Sequence, residues 1–249
     1  MDTNHEMSYY NYGKTLSAEG VVKSWLLNNK GNDNHEYVDL GLKVKWATCN
    51  IGASSPEEAG LYFAWGETNG YTSEQVGVDK YFIWEDFTDE SGVTHHNDYK
   101  FGPYNGEDET NYGMTKYNSE GPTELESEDD AAAQIWKNGW RMPTKEEFEE
   151  LISSANTETI FTEQNGVSGL LVTSKVEGYE GNSVFFPAVG EAADGIVEGV
   201  GEYGDCLSVS LSDDDVIHAF ALDFEGKGCE IICVSRCFGC SVRPVRSNS

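Results

Sequence analysis

Apolar residues along the chain fall into short runs with two different periods. Tyr37-Val38-Asp39-Leu40-Gly41-Leu42 and Val44-Lys45-Trp46-Ala47-Thr48-Cys49 alternate as half-buried strands do, and a compact run from Gly60 to Glu67 follows a polar turn. Residues 69–122 are rich in Gly, Asn, Asp, Glu and Tyr with weak periodicity, which predicts long irregular loops rather than a second core. The pattern then turns helical. Ser127 is placed to cap a helix from Glu128 to Lys137, and Thr144-Lys145-Glu146-Glu147 is a capping box that opens a second helix with Phe148, Leu151 and Ile152 on one face. Strand-like runs follow at Gly169 to Ser174, Asn182 to Pro187, Leu207 to Leu211, Ile217 to Phe224, Glu230 to Ser235 and Ser241 to Arg246. Helices followed by hairpins predict an α+β domain.

Residues 1–35 have a different texture. They mix Tyr, Asn and Gly with one short amphipathic piece, Ser17 to Leu27, and read as an N-terminal arm or extension, with the main domain at 36–249. No solenoid-type repeat is present. Charge narrows the partners: 44 acidic against 16 basic residues give a net −28, which repels phosphate backbones and leaves an uncharged, basic or surface-displayed partner. No apolar run approaches the roughly 18 residues of a membrane span. Met1-Asp2-Thr3-Asn4-His5-Glu6 shows neither the basic nor the apolar region of a secretory leader.

The segment from Cys206 to Cys240 holds five of the six cysteines and no tryptophan, yet it ends in the orderly run Ser241-Val242-Arg243-Pro244-Val245-Arg246. Odd composition inside an ordered frame suggests a scaffold with a tolerant display surface. Five motifs are informative together: Tyr37 to Leu42, Trp46-Ala47-Thr48-Cys49-Asn50-Ile51-Gly52-Ala53, Asn138-Gly139-Trp140-Arg141-Met142-Pro143-Thr144, Asn182-Ser183-Val184-Phe185-Phe186-Pro187-Ala188 and the closing run. From about residue 36 onward the chain resembles the Fibrobacter succinogenes major paralogous domain family. That resemblance implies a C-type-lectin-type fold, related to the formylglycine-generating enzymes and to the variable proteins of diversity-generating retroelements. In those variable proteins, adenine-directed errors rewrite a C-terminal cassette that the fold presents to ligand.

Residues 205–240 are the candidate cassette. An AAC codon mutated at its adenines becomes NNC, which cannot encode Met, Trp, Gln, Glu or Lys. Asp205, Cys206, Leu207, Phe220, Ala221, Asp223, Cys229, Ile231, Ile232, Cys233, Val234, Ser235, Cys237, Phe238 and Cys240 all fall in the permitted set. Ala219, Leu222 and Phe224 read as the fixed inward partners of Ala221 and Asp223. Glu225, Lys227 and Glu230 would be unvaried, and Cys206-Leu207-Ser208-Val209-Ser210 stands where ordinary family members carry an aromatic-Trp-Ser-Ser-Ser run. The expectation is a binding face with Leu207, Phe220, Ile231, Ile232 and Phe238 as anchors and Asp205, Asp213 and Asp223 giving polar specificity. Its ligand would be a protein or cell-surface molecule, met at a cell surface, outside the cell or on a phage particle. An undiversified surface domain of the same fold is the alternative, followed by a formylglycine-generating-type oxidase, which needs two cysteines of depressed pKa in one cleft.

Other chemistry is weakly signalled. Cys229, Cys233, Cys237 and Cys240 have spacings a metal could use, but they fall on presumed strands and read as partly exposed small hydrophobes, so no metal or cofactor is expected. His95-His96 reads as a solvated loop pair, and Asp213-Asp214-Asp215 as a hairpin tip without the calcium-loop pattern. Neither the Glu-Pro-Asn or Trp-Asn-Asp triplets of calcium-dependent sugar lectins nor a nucleophile elbow occurs. Trp140 is expected to fill core and Arg141 to bond carbonyls.

Overall fold

The computed structural model describes residues 35–248. The amphipathic piece Ser17 to Leu27 and the rest of the expected arm lie outside them, apart from His35, which stacks on Trp136 at 3.7 Å. Among the described residues, small antiparallel sheets and two helices make up the regular structure, broadly α+β as the sequence pattern predicts.

A four-stranded sheet runs in the order Tyr37–Val38, Val44–Ala47, Val245–Ser247, Trp140–Arg141. The closing strand is thus inserted between the first strands and the middle of the chain, pairing Val245 with both Trp46 and Arg141. The second sheet is a meander of Thr157–Gln164, Val167–Ser174 and Ser183–Pro187. A third meander, the C-terminal sheet, comprises Tyr203–Leu211, His218–Glu225 and Gly228–Ser235.

The second helix, Lys145–Ile152, forms as expected: Thr144 accepts from the Glu147 amide at 3.2 Å and Glu147 accepts from the Thr144 amide at 2.9 Å. Arg141 donates to the Met142 carbonyl at 3.0 Å and also to both oxygens of Glu147, tying this cap to the preceding strand, while Trp140 is buried. The first helix is a correction. It spans only Ala131–Ile135 and is capped by Asp130, not Ser127. Asp130 accepts from Ala133 and twice from Met142, and Asp129 is drawn off by Lys100, Lys116 and Tyr117, so neither continues a helix. Left-handed Lys137 and Asn138 end it.

Two hydrophobic clusters lie on opposite sides of the C-terminal sheet. The first gathers the run Leu61 to Trp65, the first helix, and Leu207, Ala219, Ala221 and Val234. The second gathers Trp46, Val245, Phe148, Leu151 and Phe186 with Cys206, Leu222 and Phe224. The run 61–65 forms only isolated bridges yet is buried throughout. The loops at 69–122 also contribute core: Phe82, Tyr99, Phe101, Met114 and Tyr117 all join the first cluster.

Two arginines with no exposed surface bind these parts together. Arg243 donates to Asn50 Oδ1 at 2.9 Å and to the carbonyls of Ala47, Thr48 and Phe185, with its guanidinium 4.6 Å from the Phe186 ring centroid. Arg236 donates to the Tyr99 hydroxyl at 3.0 Å and to the carbonyls of Tyr117, Val216 and Lys116, over the Trp65 ring. Burial lowers the pKa of Arg243 only to about 10, so it stays charged at neutral pH. Lysine has no planar fork with which to reach four acceptors. Arg243→Lys is therefore expected to lose at least about 3 kcal/mol of stability in urea unfolding; a loss below about 1 kcal/mol would contradict this account.

Candidate functional site

Strand register places charge in an unusual position. Asp205 pairs directly with Asp223, and Asp223 pairs in turn with Glu230, so like-charged residues stand opposite one another on one face of the C-terminal sheet. Ile232 and Val234 continue that face along the third strand. Above it stands a small hairpin, Glu191–Ala193 with Ile196–Glu198, turned by left-handed Asp194 and Gly195. Gly239 and Ala192 exchange backbone bonds of 2.7 Å each, which docks this hairpin on the segment after the third strand. A Cβ on Gly239 would come within 2.6 Å of the Phe82 ring, so the close approach requires glycine there.

The result is a groove of about 670 Å³ lined by acidic and apolar groups. All of its lining residues except Glu191 and Tyr203 come from the 205–240 segment. Phe238 also borders a second cavity of about 720 Å³ walled by Ile83, Trp84, Phe87, Tyr104 and Ile217, with Glu85, Asp86 and Asp194 at its edge. Asp98 accepts from the successive amides of Tyr81, Phe82 and Ile83, holding the loop that carries Trp84. Trp84 Nε1 then donates to Ser235 Oγ at 2.7 Å, joining that wall to the third strand.

Seven expected site residues meet at the groove: Asp205, Asp223, Ile232, Cys233, Val234, Ser235 and Phe238. The others do not. Leu207 and Ala221 share the groove's face but lie beneath the first cluster, with no exposed surface. Cys206, Cys229 and Ile231 point to the opposite face and join the second cluster, while Phe220 lies under Lys145 Nζ at 3.7 Å. Asp213 is exposed at the preceding turn, paired with Lys145 at 3.1 Å. Leu207, Phe220 and Ile231 are therefore not groove anchors. A strand with both faces covered leaves no outward side along much of its length, which alternation alone cannot reveal.

The thiols need a similar correction. All six described cysteines are free; Cys206, Cys237 and Cys240 are buried and only Cys233 is exposed. Burial pushes the thiols of Cys206 and Cys237 up to about 11 and about 12, the opposite direction from an activated nucleophile. The histidines bond carboxylates, His95 to Asp89 at 3.0 Å and His96 to Asp86 at 2.7 Å. Asp215 accepts from the amides of Ile217 and His218, forming the expected turn into the second strand. Glu191, Tyr203, His218 and Glu225 were missed as groove residues. The Asp194-Gly195 turn signature was the available signal for the hairpin carrying Glu191.

Electrostatics in the groove run against ionisation. Burial, then the nearby Asp223 and Glu191 carboxylates, push Asp205 up to about 8. Burial and Glu198 raise Glu191, and burial with Glu225 and Glu230 raises Asp223. Among the described residues no ion pair reaches any of the three. No helix is long and apolar enough to cross a membrane among the described residues. No family model matches the sequence, and comparison with curated proteins and with solved structures gives no match.

Folding thus favours the protonated form of Asp205. Its contribution to stability is complete below the ordinary carboxylate pKa near 4 and falls as pH rises toward 8. One such group gives a slope of at most about 1.4 kcal/mol per pH unit. Asp205→Asn is expected to flatten the decline of unfolding free energy between about pH 4 and pH 8, measured in urea with a chelator present. Parallel curves for the variant and the parent would refute the assignment.

Proposed function

We propose that this chain is a ligand-binding protein with a C-type-lectin-type frame, and that its C-terminal segment presents a diversified recognition surface to a protein or cell-surface ligand. The groove supports this reading, since nearly all of its wall is drawn from one segment held by backbone contacts to the rest of the fold. The five sequence motifs that resemble the Fibrobacter succinogenes major paralogous domain family support the frame. Uncompensated carboxylates beside Ile232, Val234 and Phe238 suit a partner that offers a basic group next to an apolar one.

Burial refines which codons can vary. Asp223, Ile232, Cys233, Ser235 and Phe238 line the groove without being wholly enclosed, whereas Leu207, Ala221 and Cys206 have no exposed surface. Shortening Leu207 to alanine would cost about 2–5 kcal/mol, which a freely rewritten position cannot bear. Sequencing the locus tests the proposal. A template repeat beside a reverse-transcriptase gene is expected, with its adenine mismatches on codons 223, 232, 233, 235 and 238 and none on 207 or 221. A locus without such a repeat, or mismatches spread evenly over buried codons, would overturn it.

A further inference from the structure

Two groups of acidic or thiol side chains among the described residues lie close enough to share an ion. In Glu126, Glu128 and Asp129 the place is taken: Lys116 Nζ sits 2.7, 2.9 and 2.5 Å from their carboxylates. The other group, Glu191, Asp205 and Cys240, has donor atoms within 4.8 Å of one another and, among the described residues, no basic side chain in ion-pair contact. Asp205 is 3% exposed; its carboxyl shares a hydrogen bond with Asp223, and among the described residues its buried Oδ1 has no hydrogen-bond partner. An unpaired oxygen in such a place is costly unless something binds it.

The backbone fixes all three donors on mutually pinned segments. Ser241 donates from its amide at 3.1 Å and its hydroxyl at 2.8 Å to the Asp205 carbonyl, which sets Cys240 beside the Asp205 side chain. Cys240 also exchanges backbone bonds with Phe63 at 2.9 and 3.0 Å, and the Gly239–Ala192 pair places Glu191 over both. Asp205 and Glu191 line the groove, while Cys240 lies behind them with no exposed surface.

We propose that Glu191, Asp205 and Cys240 form a binding site for a thiophilic divalent metal ion, of the zinc type, beneath the groove. One sulfur with two carboxylate oxygens suits zinc, whereas calcium and magnesium take oxygen-only sets. Tetrahedral zinc bonds of about 2.0–2.3 Å bring donors to about 3.5 Å apart, so the carboxylates close by about 1 Å through side-chain rotation. Three protein donors leave a fourth position facing the groove, available to water or to a donor atom of a bound partner. Loading releases the thiol proton and any proton held by the carboxyls, so affinity rises with pH. This site stands apart from the diversification reading, which is decided by the gene and not by metal.

Titration of the chelator-treated full chain with cobalt(II), and competition by zinc(II), tests the site. The expected result is one equivalent bound with a thiolate-to-cobalt charge-transfer absorption that zinc abolishes. Cys240→Ser should remove that band, and Asp205→Asn should weaken binding by more than the roughly 10–100-fold typical of a supporting residue. Phe238→Ala, in the groove wall but not a donor, should leave both unchanged. Should Cys240→Ser fail to fold, Asp205→Asn and the parent band carry the test. Absence of the band from the parent chain, or a band that persists in folded Cys240→Ser and so arises from exposed Cys233, would overturn the proposal.

Discussion

Two positive charges sealed inside the protein hold the groove in place. Among the described residues Arg236 and Arg243 meet no carboxylate; carbonyls, a hydroxyl and an amide oxygen accept from them, and aromatic faces cover them. A buried guanidinium is tolerable only with such extensive hydrogen bonding, four bonds from each, because an unpaired charge in a dry interior is severely destabilising. The stretch between them carries Phe238, Gly239 and Cys240, and is thus suspended between two fixed points. One fastens it to the Trp65 region and the loops at 99–117, the other to the turn after Ala47 and the strand at Phe185. Cys237, Cys240 and Val242 on that stretch join the first cluster, and Phe238 between them keeps its position while only partly buried.

The C-terminal sheet is both a partition and a platform. Its middle strand is covered on both faces over Ala219 to Leu222, and Asp223 marks where the cover over the groove face ends. The boundary between cover and groove separates residues enclosed by packing from those with a side facing the groove. Acidic residues concentrate at that edge, where the net −28 of the chain is felt at short range. Phe238 divides the acidic groove from the aromatic cavity around Trp84, giving one surface two kinds of contact.

Local chemistry was legible in the sequence. The Thr144 capping box needs only residues three apart, and the hairpins at 169–187 and 218–235 are visible as short strand-like runs. What depends on distant partners was not. Asp129 and Asp130 read as helix residues but are claimed by Lys100, Lys116 and Met142. The strand Thr157–Gln164 was passed over because its one exposed edge is polar and Ile160 and Phe161 are its only large apolar residues. The groove itself was half legible: its sheet residues lay in the suspect segment, while Glu191 and Tyr203 arrive from a hairpin and a strand start outside it. Nor could a codon argument distinguish Leu207 from Ile232, since permitted amino acids say nothing of which face a neighbouring layer covers.

The inserted closing strand also governs the order of assembly. Val245–Ser247 forms hydrogen bonds with Val44–Ala47 on one side and Trp140–Arg141 on the other, across about 200 intervening residues on the first of these. No four-stranded sheet can form during synthesis until its last strand has left the ribosome, so the two flanking strands must wait with their edges open. Sequence separation of that size favours slow closure and a dependence on helpers that shield unpaired edges in the interval. A nascent chain stalled before Arg243 would lack one of its clamps as well as its keystone strand, and quality control would meet it as an open form.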